Sequence, residues 1–173
     1  MKFVNCCHEK YASEILEILN QAIISSTALY DYKPRTLDTM IDWFEVKRVN
    51  DFPVIGVLDA NNTLMGFATY STFRAWPAFK YSVEHSIYIH HDHQGKGLGK
   101  VLLSNIIEAA KQQQYHTIIG GIDITNTGSI ALHEKLGFVH AGTIKEAGFK
   151  FGRWLDLGFY QLILNTPETP LDG

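Results

Sequence analysis

The sequence predicts a single mixed α/β domain over residues 1–173, and three observations carry that prediction. Residues 81–89 alternate as a strand does: Tyr81, Val83, His85, Ile87 and Ile89 face one way, and Ser82, Glu84, Ser86 and Tyr88 the other. Residues 9–24 instead set Tyr11, Ile15, Leu16, Leu19, Ala22 and Ile23 at helical spacing. A glycine-rich turn at 94–99 then leads the alternating segment straight into another amphipathic run. A chain of 173 residues matches the usual size of one domain.

Each element follows in order. Residues 2–6 read as a first strand and 9–24 as a helix, followed by a loop with the turn-formers Asp31, Lys33 and Pro34. Thr36 is placed as N-cap of a second helix, with Asp38 in its first turn and Leu37, Met40, Ile41 and Phe44 on one face. Residues 53–58 and 64–73 form a hairpin through 59–63, and 81–89 is the next strand. A helix fits 98–112, with Leu98, Val101, Leu102, Ile106 and Ala109 inward. A strand at 116–122, a short helix at 128–136 closed by Gly137, and a last pair around 139–146 and 154–164 complete the chain. Fold class alone says little about function.

Composition narrows the choices. Apolar residues make up 46% and charged residues 19%, which excludes a disordered chain. A formal net charge of -3 leaves no positive excess to displace counterions, so no nucleic-acid partner is expected. Cys6 and Cys7 are adjacent and cannot staple a fold; they read as free thiols in a reducing compartment. The first fifteen residues lack the apolar stretch of a signal peptide, and no run approaches 18 apolar residues. A cytoplasmic protein without membrane attachment is expected.

The turn Gln94-Gly95-Lys96-Gly97-Leu98-Gly99 opens a helix at once. Alternate glycines let backbone N–H groups turn toward one point, and the helix N-terminus adds positive potential. A phosphate or pyrophosphate suits such a point, with Lys96 and Lys100 as nearby charge. Spacing decides which phosphate ligand. A Walker A loop needs Gly at 94 and Ser or Thr at 101, where this chain has Gln94 and Val101. A dinucleotide fingerprint fails too, because its last glycine falls on Lys100 or Leu102, although Asp123 mimics the ribose-binding acid. A tight strand–helix connection that binds nothing is the competing account.

Further residues make the turn specific. Gln94, Gly97 and Gly99 resemble the Q/R-x-x-G-x-G/A acyl-CoA pyrophosphate loop of the GNAT acyltransferases. Asn126-Thr127-Gly128-Ser129 and Leu132-His133-Glu134-Lys135-Leu136-Gly137-Phe138 are similar to the Asn-x-x-Ser…Leu-x-x-Lys-x-Gly-Phe segment of that superfamily. Ser26-Thr27-Ala28, Trp43-Phe44, Arg74, the segment 83–89, Ala147-Gly148-Phe149-Lys150 and Arg153-Trp154-Leu155-Asp156 resemble its phosphinothricin/methionine sulfoximine acetyltransferase branch. Together they cover most of residues 2–164.

The resemblance implies the GNAT fold, a mixed, mostly antiparallel and splayed sheet with helices on both faces. Acetyl-CoA is the implied co-substrate. Its pantetheine arm would pair with backbone of Ile87, Tyr88 and Ile89, as an added strand does. Its pyrophosphate would lie on Gln94, Gly95, Lys96, Gly97, Leu98, Gly99 and Lys100, with Asn126 and Lys135 as further contacts. A homodimer is the implied assembly.

For the chemistry, an amine must lose a proton before it attacks a thioester. A carboxylate on a strand is ordinarily a solvated residue; the resemblance makes Glu84 the general base, acting through a water. Where many relatives carry a Tyr as acid to the leaving thiolate, this chain has His133, with a structural or cofactor-contacting role as the other reading. Tyr88 is a further candidate donor, and His85 faces away from Glu84. The loop Phe73-Arg74-Ala75-Trp76 is placed to hold an amino-acid substrate, Arg74 gripping a carboxylate bidentately and the aromatics burying an apolar stem. Glu84, His85 and Ser86 complete the substrate set, and Tyr32, or Phe149 and Trp154 from a neighbouring subunit, are candidates to close it. His90, His91, Asp92 and His93 invite a metal, but adjacent residues on a turn rarely converge on one tetrahedral ion, so none is expected. Nothing activates Cys6 or Cys7, so direct transfer in a ternary complex is preferred over an acyl-cysteine.

The function expected is acetyl-CoA-dependent N-acetylation of a small amino acid or analogue. Acetylation of a protein or peptide amine, and a non-catalytic acyl-CoA-sensing module, are the alternatives.

Overall fold

A computed structural model describes residues 1–172. Its elements are β1 (Lys2–Asn5), α1 (His8–Ser25), α2 (Leu37–Val49), β2 (Val54–Leu58), β3 (Leu64–Thr72), β4 (Ser82–Ile89), α3 (Leu98–Gln112), β5 (Thr117–Asp123), α4 (Thr127–Lys135), β6 (Val139–Lys150) and β7 (Arg153–Ile163). Short 3-10 turns occupy Pro77–Phe79 and His91–His93. The sheet has seven strands in the order β1-β2-β3-β4-β5-β7-β6. The β1/β2, β2/β3, β5/β7 and β6/β7 pairs are antiparallel, and β4/β5 is parallel. This is the mixed, mostly antiparallel architecture that the sequence predicts. No helix among the described residues is long and apolar enough to cross a membrane.

Residue contacts divide the chain into two compact units, residues 1–70 with 86–106, and residues 71–85 with 107 onward. In the first unit, α1 buries Tyr11, Ala12, Ile15, Ile18, Leu19 and Ile23, a stripe one helical face wide. Met40 and Phe44 of α2, Val54 and Leu58 of β2, and Leu64 and Phe67 of β3 pack onto it. Burying side chains of this size contributes roughly 1.5–3 kcal/mol each. Asn20 ties the far end of the α1–α2 loop back to α1: its Nδ2 donates to the Arg35 carbonyl at 3.0 Å, and its Oδ1 accepts the Arg35 N–H at 2.7 Å.

The α2 face differs from its expected one. Leu37 and Ile41 are exposed, and the inward row is Met40, Phe44 and Lys47. Lys47 is only 8% exposed. Its Nζ donates to the Tyr70 carbonyl at 2.7 Å and lies 5.3 Å and 5.6 Å from the Trp43 and Phe52 rings. Burial pushes this ammonium down to about 8. Thr36 does precede α2, yet its side chain makes no cap; Thr39 Oγ1 donates to the Thr36 carbonyl instead.

In the second unit, β4 and β5 pair from Ser82↔Thr117 to Glu84↔Ile119, and β5 pairs with β7 along its whole length. The last hairpin runs further than expected, because its register shifts between Ile144 and Gly148 and then resumes to Lys150. At the shift Glu146 takes a φ of 52° and donates its N–H to Asp156 Oδ1 at 2.8 Å. The hairpin turns at Phe151-Gly152, both at positive φ.

Candidate active site

Glu84 is the last β4 residue in register with β5. Beyond its partner Ile119, β5 carries Gly120 and Gly121, whose missing side chains open the two faces of the strand in turn. A Cβ on Gly121 would lie 3.0 Å from Glu84 Oε1, so this glycine leaves room for the carboxylate. Glu84 is half-buried, and burial raises its pKa above the usual carboxylate range while the positive charge of Arg74 pulls it back down. A raised carboxylate pKa is what a base for an ammonium substrate near neutral pH requires.

Arg74 is exposed, two residues past β3. Its guanidinium lies 4.3 Å over the Phe73 ring, and Nη1 donates to the Phe73 carbonyl at 2.9 Å. Phe73 sits edge-on to Phe79 and Phe159 at 6.0 Å and 6.4 Å, so a cation rests on an aromatic cluster while its remaining donors face solvent. Ala75 and Trp76 are exposed, and the Pro77–Phe79 turn follows directly.

The sequence places His85 in the substrate set, and the structure corrects this. His85 points to the face opposite Glu84, toward Gly120, so it does not line a substrate pocket with that carboxylate, and it is buried against His133 of α4. Their Nε2 atoms are 3.0 Å apart, and His133 Nδ1 is 2.7 Å from the Ser129 carbonyl. His133 is 3% exposed, and both of its nitrogens are committed to protein partners. Of the two readings of His133 in the sequence, this geometry is that of the structural one.

In the first unit, His91–His93 leads into the glycine turn, where Gly95 and Gly97 take φ values of 73° and 77° before α3 begins at Leu98. A Cβ at either glycine would meet no atom of another described residue within 4 Å, chain neighbours aside. The turn therefore presents bare backbone and a helix N-terminus to open space, as a phosphate ligand requires. Lys96 is held by its own turn: Nζ donates to the Asp92 carbonyl at 2.9 Å and lies 3.3 Å from His93 Nδ1. Lys100 is exposed.

Ser86, Ile87, Tyr88 and Ile89 are half-buried. Tyr88 lies 5.5 Å from Phe67, and burial pushes its phenol up to about 12, so it stays protonated at all ordinary pH. The α1–α2 loop brings Asp31 and Arg35, ion-paired at 3.0 Å, near enough to act on that phenol. Gly66 lets β3 approach: a Cβ there would fall 2.8 Å from the Tyr88 carbonyl.

Other predicted positions have settled partners. Asn126 caps α4, its Oδ1 accepting the Ser129 N–H at 3.1 Å, and Lys135 is exposed. Asp123, the mimic of a ribose-binding acid, is buried against Arg153 at 2.7 Å and accepts the Thr125 N–H. At the start of the His91–His93 turn, side-chain N and O atoms of His90, His91 and Asp92 lie within 4.8 Å of one another. Mutual contacts already occupy them, including His91 Nε2 to Asp92 Oδ1 at 3.0 Å.

The acetyltransferase (GNAT) family matches residues 14–138, and the chain belongs to that family. It is 40% identical over 156 residues to L-amino acid N-acyltransferase MnaT of Escherichia coli K12, covering 90% of each chain. It is 39% identical to the L-methionine sulfoximine/L-methionine sulfone acetyltransferase of Salmonella typhimurium, covering 90% of this chain and 91% of that one. A solved phosphinothricin acetyltransferase of Sinorhizobium meliloti, in complex with acetyl-CoA, superposes with a TM-score of 0.93 at 32% identity, over 98% of this chain and 91% of that one.

Sequence reasoning missed Gly120, Gly121, Gly66 and the Asn20–Arg35 clamp. Glycine inside a strand was an available signal for the first three. The clamp had none.

Proposed function

We propose that this chain is a single-domain, acetyl-CoA-dependent N-acetyltransferase spanning residues 1–173, acting on the α-amino group of a small amino acid or analogue of the methionine sulfoximine or phosphinothricin type. The observation that carries the reading is Glu84, a half-buried carboxylate with a raised pKa, with the Arg74 charge acting on it. Acetyl-CoA, when bound, supplies the activated acetyl thioester. The positive-φ turn Gly95–Gly97, the α3 N-terminus and Lys100 would hold its pyrophosphate, and the backbone of Ile87, Tyr88 and Ile89 its pantetheine arm.

Arg74 fixes the substrate carboxylate, and Phe73 and Trp76 cover its apolar stem. Glu84 takes the ammonium proton, directly or through one water, and leaves the amine free to attack. Tyr88 remains a neutral phenol able to give a proton, a role that its high pKa suits better than that of a base. Transfer is direct, since Cys6 is buried and burial pushes its thiol up to about 12.

The working assembly is a homodimer. Exposed Phe149, Phe151 and Trp154 at the tip of the β6–β7 hairpin support this reading, and sedimentation across a concentration series tests it. The cytoplasm, where acetyl-CoA is made available, is the compartment.

Thiol release from acetyl-CoA, screened over amino acids, their decarboxylated amines and peptides, tests the function. Turnover should be confined to free amino acids and analogues. Preference for peptides would move the assignment to protein acetylation, and no release with any amine would leave only acyl-CoA binding.

A further inference from the structure

The two buried imidazoles have one consistent proton arrangement. A carbonyl oxygen only accepts, so the 2.7 Å contact to Ser129 requires the proton on His133 Nδ1. His133 Nε2 then carries a bare lone pair, and the atom 3.0 Å from it, His85 Nε2, must be the donor. His85 Nδ1 is left as an acceptor, buried and without a hydrogen-bond partner among the described residues. The two rings lie nearly parallel, with planes 18° apart and centroids 4.9 Å apart.

The surroundings favour neutrality. Phe138 packs edge-on against both rings, Gly120 of β5 lies beneath them, and buried Tyr160 of β7 pairs with Gly120. Glu134 and Lys135 of α4 are exposed, and Glu84 occupies the other face of β4. Burial and the neighbouring His133 push His85 down to about 3, and burial lowers His133.

We infer that His85 is a positioning residue: by donating to His133 it fixes that imidazole as a neutral Nδ1–H tautomer and ties α4 to the strand carrying Glu84. Neither ring then exchanges a proton during transfer. Gly120 belongs to the device, because a Cβ there would lie 2.8 Å from His85 Nε2 and 3.3 Å from His133 Nε2. What the strut holds in place is the first turn of α4, with Asn126 at its cap. The kinetic consequence rests on the acetyl-transfer reading; the tautomers do not.

Two measurements test this. Nitrogen NMR of the ¹⁵N-histidine-labelled protein from pH 5 to 8 should show His133 protonated at Nδ1 and His85 at Nε2, neither titrating. The opposite tautomers, or either ring titrating in that window, would overturn the inference. In steady-state kinetics His85→Leu should raise KM for acetyl-CoA about tenfold, the loss of one buried hydrogen bond. Its kcat and the pH profile of kcat should hold within about threefold, a bound chosen on the same scale. His85→Gln, which keeps a donor, should recover most of the affinity. A hundredfold-scale fall in kcat with loss of one limb of the pH profile would instead make the pair a proton donor. Gln no better than Leu would remove the donor role. If the parent protein acetylates no amine, the functional reading fails while the NMR result still decides the tautomers.

Discussion

Gly121 and Glu84 share one space: a β-carbon on the glycine would stand 3.0 Å from the carboxylate Oε1. That oxygen ends a flexible side chain, so Gly121→Ala should fold and displace the carboxylate rather than the strand. Since small displacements of a reacting group cost up to about a hundredfold, kcat should fall roughly tenfold with little change in melting temperature. An unchanged kcat would show that the carboxylate position is not critical.

Glu84→Gln keeps the shape and removes the base, so kcat near neutral pH should fall by about 10²-fold or more, with acetyl-CoA affinity intact. The raised pKa also fixes the sign of a stability effect. The folded state holds the Glu84 proton more tightly than the unfolded state, so this group's contribution falls as pH rises from the ordinary carboxylate range through the raised value. Above that window the ionised, half-buried carboxylate is a cost. Calorimetry at neutral pH should therefore find Glu84→Gln slightly more stable than the parent and equal to it at low pH.

Arg74→Ala should raise KM for amino acids by one charge-assisted hydrogen bond, roughly 1.5–3 kcal/mol or about 10- to 150-fold. The decarboxylated amine should be a poor substrate whose KM barely responds. Because Arg74 lowers the pKa of Glu84, its loss should also move the acid limb of the kcat profile to higher pH for both substrates. Equal slowing of the two with no shift of that limb would reduce Arg74 to a loop support.

At Gly97 the backbone φ is 77°, and among the described residues no atom beyond its chain neighbours lies within 4 Å of the missing side chain. Asn tolerates this conformation better than other residues. Gly97→Asn should then melt close to the parent, within about 1 kcal/mol, yet bind acetyl-CoA at least tenfold more weakly, because its side chain fills space reserved for phosphate. Titration calorimetry alongside thermal melting separates the two effects. Full affinity would remove the turn from the cofactor site.

Local pattern carried most of this architecture. The alternation at 81–89 placed Glu84 and His85 on opposite faces, and the glycine turn opened α3 as read. Pattern failed where a polar residue took an apolar place: the inward row of α2 ends in Lys47, so hydrophobicity selected Leu37 and Ile41 instead. It failed again where partners are distant in sequence. The His85–His133 bond spans 48 positions, and the β6 continuation depends on Asp156 catching the Glu146 amide across the hairpin. No local window contains either relation.

The paired hydrogen bonds of Asn20 to the Arg35 backbone close the intervening segment at its base. With its ends tethered, that segment behaves as an exchangeable cassette. Doubling a flexible loop adds only about 0.6 kcal/mol of closure entropy. Residues 26–34, between the end of α1 and the Arg35 tether, can thus diverge in length and character while α1 and α2 keep their places. A library confined to residues 26–34 would sample such changes while leaving the buried α1 face, Ile23 included, intact.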